Sequence, residues 1–249
     1  MKEPPNRDKA INLFANKIYE RFFGLYYLFY KAYKIQSDRY ERKLLAEFIK
    51  PGMTVVDVGA NIGIFSRYLS DLVGPQGKVY AFEPDATNFK HLSRNLRACS
   101  NVELIQEAVS DETGEISLFV SFELNIDHRT YDNGEGRHQV KINAHRLDDF
   151  FPPGTCIDFI KTDIQGGEYK ALRGMQRVLT ENPNLNLLIE FWPWGLTQFD
   201  ENGVEMLIDL IKSYDFAIDL VKDGQRFPYK PGCVKLHLRH YGNLLLHRS

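Results

Sequence analysis

Two neighbouring segments, residues 55–63 and 79–85, constrain the fold of this chain more than any other feature. They read V-V-D-V-G-A-N-I-G and V-Y-A-F-E-P-D. Consecutive β-branched residues favour a strand that is covered on both faces. Gly59 and Gly63 favour a tight turn in which the backbone lies close to a ligand and to the next helix. The two segments therefore predict a strand, a turn, a helix and a second parallel strand.

An acidic residue ends the second strand. Glu83, followed by Pro84, comes 20 residues after Gly63. At about this separation an acid at a strand end can bind the two hydroxyl groups of a ribose. The sequence therefore predicts a nucleoside site formed by the glycine turn and by Glu83–Pro84.

The residues of the turn discriminate between nucleoside ligands. Asn61 and Ile64 stand where a dinucleotide fingerprint has its second and third glycines, and the turn lacks the Gly-Lys-Ser/Thr of a P-loop. Asp57 would repel a phosphate but suits a ligand that carries an ammonium and a sulfonium. S-Adenosylmethionine is such a ligand and is the predicted cofactor. An NAD-dependent oxidoreductase is an alternative that the missing middle glycine disfavours.

The composition is that of an ordinary globular chain. Of 249 residues, 43% are hydrophobic and 26% charged, and the net charge of −2 gives no reason to expect nucleic acid as a partner. Cys99, Cys156 and Cys233 are far apart, which argues against a disulfide scaffold and suits a reducing compartment. No secretory signal is visible, so we expect a cytoplasmic protein.

The first 50 residues differ from the rest in charge and in aromatic content. They hold 11 Lys or Arg against 6 Asp or Glu, and 11 of the 32 aromatic residues. The uncharged stretch at 22–30 is far shorter than the roughly 20 residues of a membrane-spanning helix. We expect a helical extension, 1–50, that covers a main domain, 51–249, as a lid or forms a dimer contact. Peripheral contact with an anionic membrane surface is the alternative.

After residue 52, predicted strands and helices alternate, which is typical of an α/β fold with a doubly wound, mostly parallel sheet. The predicted parallel strands are 53–58, 78–83, 102–107, 157–163 and 185–191, and the predicted helices are 63–73, 87–98, 168–179 and 206–214. Residues 115–121 and 139–146 alternate like a strand pair around an irregular loop, 122–138. Residues 216–221 and 242–247 predict an antiparallel hairpin at the sheet edge.

Acidic residues end the predicted parallel strands. Ligands of such sheets bind beyond the carboxyl ends of the strands. Those ends carry Asp57, Glu83, Glu107, Asp163 and Glu190. Five acids are costly to bury in a purely structural core, so the sequence predicts the functional site at this edge.

Several motifs together resemble the FkbM family of S-adenosylmethionine-dependent methyltransferases, which have the Rossmann-like class I fold. The matching stretches lie between residues 52 and 192 and read V-V-D-V-G-A-N-I-G-I-F-S, V-Y-A-F-E-P-D, H-R-L-D-D-F, D-F-I-K-T-D-I-Q-G-G-E-Y-K-A-L-R-G-M and L-L-I-E-F. The combination is specific, although each piece alone is weak. The resemblance implies O-methylation of a small acceptor such as a sugar, a polyketide or a glycolipid.

The resemblance also implies roles for individual residues. Asp57 and Gly59 would lie at the methionine end of the cofactor, Glu83 on the ribose, and Glu107 with Ala108 near the adenine. The remaining predicted cofactor-binding residues are Asn61, Gly63, Pro84 and Asp163.

One residue departs from the family pattern. The family usually reads D-x-E-G-x-E after the fourth parallel strand, whereas this chain has Gln165 in place of the first glutamate. A glutamine can cap a helix but cannot bind a metal or take a proton as a carboxylate does. A nucleoside-binding protein without catalytic activity is therefore another alternative.

Methyl transfer from a sulfonium to an oxygen requires alignment, exclusion of water and removal of the hydroxyl proton. Asp163 is the first candidate base, Glu190 the second, and His128 is taken from the three histidines around the irregular loop, His128, His138 and His145. Glu168, in the first turn of a helix, suits capping better. No ligand spacing supports a metal site, so none is assigned.

Two tryptophans follow the fifth parallel strand. Trp192 and Trp194 flank Pro193 at the rim where an acceptor would enter. Their rings suit either stacking on an acceptor or packing of the loop itself, and the sequence does not decide between the two.

Overall fold

The computed structural model describes residues 19, 21–121, 128–130, 136–230 and 242–248. The strands are β1 Thr54–Val58, β2 Lys78–Phe82, β3 Val102–Ile105, β4 Ala108–Val109, β5 Gly114–Val120, β6 His138–His145, β7 Phe159–Thr162, β8 Asn186–Phe191, β9 Ala217–Lys222, β10 Gln225–Pro228 and β11 Gly242–His247. The helices are α1 Phe23–Ser37, α2 Arg39–Phe48, α3 Ile64–Val73, α4 Ala86–Leu96, α5 Leu147–Phe150, α6 Glu168–Arg173, α7 Gln176–Glu181, α8 Pro193–Phe199 and α9 Gly203–Lys212.

The main sheet confirms the predicted doubly wound α/β architecture. Within the described residues it has eight strands in the order β10-β9-β11-β8-β7-β1-β2-β3. The neighbouring strands β8, β7, β1, β2 and β3 pair in parallel. β11 pairs antiparallel with both β8 and β9, and β9 pairs antiparallel with β10. Helices cover both faces, since α2 and α3 pack on one side and α6, α7 and α9 on the other. Burial on both faces explains the continuous apolar runs of the central strands.

The antiparallel edge differs in detail from the predicted hairpin. Residues 217–222 pair with 242–247 as expected, but β11 lies between β8 and β9, and β10 is the outer strand. Asp223 and Gly224 both have positive φ and connect β9 to β10 directly. An Asp-Gly pair in a two-residue hairpin turn has this conformation, so the sequence contained a hairpin signal that the prediction overlooked.

A second, smaller sheet confirms the predicted strand pair. β5 and β6 pair antiparallel, with Gly114 opposite Ala144 at one end and Val120 opposite His138 at the other. β4 pairs in parallel with β6. Most of the predicted loop between β5 and β6 lies outside the described residues; residues 128–130 and 136–137 are described.

The predicted helix at 168–179 is wrong in one respect, because it is divided into α6 and α7. Gly174 separates them and lies against the backbone of Ser110, where a Cβ added to Gly174 would come within 1.8 Å of the Ser110 carbonyl oxygen. A close tertiary contact therefore interrupts a sequence with good helical periodicity. Helix α8 was not predicted, although Pro193 stands in its first turn, a favourable position for proline.

Helix α1 packs over the glycine turn after β1. Phe23, Tyr26, Tyr27 and Tyr30 contact a buried cluster that contains Ile62 and Ile64. Helix α2 contributes Leu44 and Leu45 to the core beside the sheet. Within the described ranges, no helix is both long enough and apolar enough to cross a membrane.

Candidate active site

A cleft opens where the strand order reverses. From β1 the chain continues to β2 and β3 on one side, and β7 and β8 lie on the other. Such a reversal leaves a crevice beyond the carboxyl ends of the strands. The cleft there has about 1070 Å³ of empty space, which includes solvent at its open mouth.

Most of the residues predicted from the sequence lie around this cleft. Those in its wall are Gly59, Asn61, Glu83, Pro84, Glu107, Ala108, His128 and Asp163. Asp57, Gly63 and Glu190 are not among the lining residues and lie behind the wall. The strand ends thus bring together residues that are up to 104 positions apart in the chain.

Gly59 allows the ends of β1 and β7 to meet. Its φ is +86°, and a Cβ at this position would lie 2.0 Å from the carbonyl oxygen of Asp163. The backbone N–H groups of Gly59 and Ala60 both donate to the carbonyl oxygen of Phe82, at 3.0 and 2.9 Å. The turn is therefore fixed against the ends of both neighbouring strands, and only glycine fits there.

Glu83 is oriented by the backbone on both sides of its carboxylate. The N–H of Asn61 donates to Oε2 at 2.8 Å, and the N–H of Asp85 donates to Oε1 at 2.9 Å. Burial raises the pKa of Glu83 to about 8, although these two hydrogen bonds oppose the increase. The side chain of Asn88 also donates a hydrogen bond to Glu83. A carboxylate offers about four acceptor positions, so a position remains for a ribose hydroxyl group.

Asp57 and Gly63 have structural contacts behind the cleft wall, and their predicted contact with the cofactor stays a prediction. Asp57 is fully buried, and Ser66 Oγ donates to its Oδ2 at 2.6 Å. Gly63 precedes α3 with a φ of +86°, and a Cβ there would lie 2.8 Å from Cδ1 of Leu92 in α4. Asp57 therefore attaches β1 to α3, and Gly63 allows α3 and α4 to pack closely.

Asp163 presents a carboxylate to the cleft. Its side chain is 36% exposed, with Oδ2 at 3.3 Å from Lys161 Nζ and Oδ1 at 3.2 Å from Gln165 Nε2. Burial raises the pKa of Asp163, but Lys161, Lys34 and a hydrogen bond with Glu190 outweigh it and lower the pKa overall. Asp163 is therefore ionised at neutral pH.

Glu190 lies behind the cleft wall and forms a hydrogen bond with Asp163. It is buried, and Gln165 Nε2 lies 3.1 Å from its Oε1 and 2.8 Å from its Oε2. Burial raises the pKa of Glu190 well above its usual value, and the nearby charge of Asp163 raises it further. The two acids therefore share one proton, which stays on Glu190 while Asp163 is charged.

Lys161 is a buried residue of the site that sequence reasoning missed. Its side chain is 3% exposed, and it lies in β7, directly beneath Asp163. Burial lowers the pKa of Lys161, but Asp163, Glu41, Asp57 and Glu190 outweigh burial, so the pKa is raised. A lysine inside the predicted buried strand I-D-F-I-K-T-D was the available signal, because a buried charge needs partners.

Comparison with known proteins decides the family. The family model described as "Methyltransferase FkbM domain" matches residues 57–218, which include the glycine turn, Glu83, Asp163 and Glu190. The chain belongs to the FkbM methyltransferase family. It is an S-adenosylmethionine-dependent methyltransferase, and the predicted cofactor is confirmed.

Individual relatives agree with this assignment. Methyltransferase sdnD of Sordaria araneosa is 28% identical over 68% of this chain and 74% of its own length. Ribosomal RNA large subunit methyltransferase E of Nitrosomonas eutropha is 26% identical over 59% of this chain and 70% of its own length.

Solved structures show the same fold and confirm the predicted fold class. A putative rRNA methylase from Clostridium thermocellum has a TM-score of 0.51 at 14% identity, covering 84% of this chain and 94% of that one. A putative methyltransferase from Streptococcus mutans, in complex with SAH, has a TM-score of 0.50 at 12% identity, covering 84% and 96%.

The FkbM domain receives part of its cleft wall from the N-terminal extension. Tyr30 and Lys34 of α1 line the cleft, and Lys34 Nζ forms an ion pair with Asp38 at 2.6 Å. The positive charge of Lys34 also contributes to the lowered pKa of Asp163. Sequence reasoning did not assign these two residues to the site, because nothing local to α1 indicates which face meets the main domain.

Two described residues between β5 and β6 form another part of the wall. His128 and Thr130 line the cleft, and the backbone N–H of Ser121 donates to His128 Nδ1 at 3.2 Å. A neutral His128 therefore carries its proton on Nε2. Arg129 between them is buried, with its guanidinium 4.9 Å from the ring centre of Trp192 and 5.4 Å from that of Trp194.

Three further candidates, Trp194, Glu107 and Glu168, have contacts with neighbouring groups of the protein. Trp194 is buried, as expected for packing of the loop. Glu107 lines the cleft and pairs with Nδ1 of His145. Glu168 accepts from the N–H groups of Ile164 and Gly166 at 3.2 Å each, and therefore stabilises the turn before α6. Over the described part of the chain, no group of three or more His, Cys, Asp or Glu is arranged to hold a metal ion.

Proposed function

We propose that this methyltransferase transfers the methyl group of S-adenosylmethionine to a hydroxyl oxygen of a small acceptor, such as a sugar or a glycolipid headgroup. The observation that carries the proposal is Asp163, an ionised carboxylate that opens to the same cleft as Glu83. A charged acceptor of protons beside a nucleoside site suits a hydroxyl substrate, whose proton must leave.

The cleft offers a position for each part of the cofactor. Glu83 would accept a hydrogen bond from a ribose hydroxyl, and Glu107 with Ala108 would lie near the adenine. The turn from Gly59 to Asn61 would hold the methionine end close to Asp163. When bound, S-adenosylmethionine supplies an electrophilic methyl group on a positively charged sulfur.

Asp163 would orient the acceptor hydroxyl and take its proton. Methyl transfer would form an oxygen–carbon bond as the sulfur–carbon bond breaks, so the hydroxyl oxygen would become positive and its proton strongly acidic. A carboxylate with a lowered pKa is then basic enough to accept that proton. Lys161 and Gln165 hold Asp163 in place.

Two relatives bear names that refer to ribosomal RNA, so RNA belongs among the acceptors to be tested. The net charge of −2 favours a small acceptor over a polyanion. The test is incubation with methyl-labelled S-adenosylmethionine and separate panels of sugars, nucleotide sugars, glycolipids and ribosomal RNA. We expect label on a hydroxyl oxygen of a small acceptor, with turnover lowered about 100-fold or more in Asp163→Asn.

Other outcomes contradict the proposal. Label on RNA, or on a nitrogen of any acceptor, would show a different substrate class. An Asp163→Asn enzyme with unchanged turnover would remove Asp163 from the chemistry. Tight cofactor binding without transfer to any acceptor would favour the non-catalytic alternative.

A further inference from the structure

Large apolar side chains at the surface are concentrated on one part of the molecule. Within the described ranges, those that are highly exposed are Phe22, Leu28, Phe29, Tyr33, Ile35, Tyr40 and Phe227. All except Phe227 belong to the N-terminal helices or adjoin them. Single exposed apolar residues are common on soluble proteins, but a contiguous set indicates a contact surface.

Helix α1 uses its two sides differently. Phe23 and Tyr30 face the main domain. The ring of Phe23 stacks on that of His91, with 3.4 Å between the ring centres, and Tyr30 lines the cleft. Phe29 and Tyr33 are four residues apart, so they share another side of the helix, and Phe22 directly precedes the helix. Phe22, Phe29 and Tyr33 are 64%, 66% and 65% exposed. The helix is therefore held in place by one side and leaves a row of aromatic rings in solvent.

The charged residues within the segment from Arg21 to Ser37 are all basic. Between Arg21 and Ser37 the sequence contains Arg21, Lys31 and Lys34 and no acidic residue. Arg21 and Lys31 are exposed. The first acid after them, Asp38, is already paired with Lys34.

We propose that this α1 face, formed by Phe22, Leu28, Phe29, Tyr33 and Ile35, docks on an anionic lipid surface. Aromatic rings and long basic side chains together suit the boundary between headgroups and acyl chains, where the rings insert and the cations meet lipid phosphates. A second copy of the same face would bring like charges together and is disfavoured. The anionic surface thus complements both the apolar and the charged residues.

Docking would act on the active site because α1 is shared. The helix that contacts the lipid also supplies Tyr30 and Lys34 to the cleft wall. Docking would determine where the enzyme acts, and it does not depend on which acceptor is methylated. Its test therefore measures binding to vesicles and not methyl transfer.

The experiment is co-sedimentation of the full chain with phosphatidylcholine vesicles, with and without phosphatidylserine. We expect binding to the anionic vesicles and at least about a tenfold loss for the triple variant Phe22→Ser, Phe29→Ser and Tyr33→Ser. The matched control is Phe227→Ser, which removes an exposed ring on β10 and should not change binding.

A second pair of variants tests the charges. Lys31 lies 5.9 Å from the ring centre of Tyr27, and Lys212 lies 6.0 Å from that of Tyr229. Lys31→Gln should weaken binding to anionic vesicles about fivefold, the effect of one basic residue near such a surface. Lys212→Gln, at a comparable contact elsewhere, should have no effect. Thermal melting and titration with S-adenosylhomocysteine verify that each variant is folded.

Three results would overturn the inference. The first is a parent chain that does not sediment with anionic vesicles. The second is a triple variant that binds vesicles normally but changes from dimer to monomer in light scattering, which would assign the face to a second copy. The third is binding that occurs only after residues 1–18 are removed, which would mean that the N-terminus covers the face.

Discussion

Gln165 donates from Nε2 to both carboxyl oxygens of Glu190, at 3.1 and 2.8 Å. The same nitrogen lies 3.2 Å from Asp163 Oδ1. A glutamate at this position would have no hydrogen to donate when ionised and would add a third carboxylate beside two acids that share a proton. The amide is therefore matched to the acids around it, although the family pattern has glutamate there.

The first prediction concerns Gln165→Glu. We expect this change to lower the free energy of unfolding by about 2 kcal/mol at pH 8, because a buried acceptor pair loses its donor and gains a neighbouring charge. The loss should be smaller at pH 5.5, where the added carboxyl is protonated. Denaturant unfolding at the two pH values measures it. Gln176→Glu, on the exposed side of α7, should change stability by less than about 0.5 kcal/mol; equal effects of the two substitutions would contradict the account.

The second prediction separates backbone conformation from steric contact. Gly52 and Gly59 have φ values of +88° and +86°, but a Cβ at Gly52 would meet nothing within 4 Å, whereas one at Gly59 would lie 2.0 Å from Asp163. Gly52→Ala should cost about 1 kcal/mol, the cost of left-handed backbone alone. Gly59→Ala should cost about 3 kcal/mol or more and weaken cofactor binding. Thermal unfolding of both variants checks this, and similar losses would show that the turn is not packed as described.

The third prediction concerns a buried cation. Lys161→Met leaves the charged Asp163 without its buried cationic partner and removes the positive charge near Asp57, Glu41 and Glu190. We expect a loss of about 3–5 kcal/mol in the free energy of unfolding, typical of breaking a buried charge network. The matched change Lys78→Met removes an exposed ion pair with Glu103 and should cost less than about 1 kcal/mol. A Lys161→Met protein as stable as Lys78→Met would contradict the role given to Lys161.

The fourth prediction is a fall in stability as pH rises. Burial raises the pKa of Glu41 and Glu168 to about 7 and that of Glu83 to about 8, from an ordinary value of 4.5. Between pH 4.5 and about 8 the folded protein therefore holds more protons than the unfolded chain, so the free energy of unfolding decreases with pH. We expect a decrease of at least about 2 kcal/mol between pH 5 and pH 8 in the ligand-free enzyme.

Denaturant unfolding across this range measures the decrease, and Glu83→Gln should flatten the curve. His91, whose pKa is lowered by burial, acts in the opposite direction but only near its ordinary pKa of 6.5. Stability that is flat or rises with pH would contradict the burial of these carboxyl groups in their protonated form.

The sequence predicted the parallel strands and the edge that holds the site, because each reflects a local pattern. Continuous apolar residues indicate buried strands. In a parallel sheet the carboxyl ends of the strands lie along one edge, so acids at those ends lie near each other. Glu83 and Asp163 could be placed near a common cleft for this reason. Their roles in binding and catalysis stay predictions.

What the sequence did not predict depends on contacts between distant parts of the chain. Gly174 interrupts a helix because it meets Ser110, and neither residue signals the other. Asp57 is buried and accepts a hydrogen bond from Ser66. Its position in the strand does not by itself determine this orientation of the side chain. Tyr30 and Lys34 reach the cleft because α1 folds back over the turn, which has no local signature.

The central claim is that the cleft binds S-adenosylmethionine with Glu83 on the ribose. Its most direct test is calorimetric titration of the parent, Glu83→Gln and Glu103→Gln with S-adenosylhomocysteine, and of the parent with NAD. We expect Glu83→Gln to weaken binding about 10- to 100-fold, because the amide nitrogen cannot accept a hydrogen bond from a ribose hydroxyl, with Glu103→Gln unchanged and no binding of NAD. Equal affinity of Glu83→Gln and the parent, or binding of NAD alone, would contradict it.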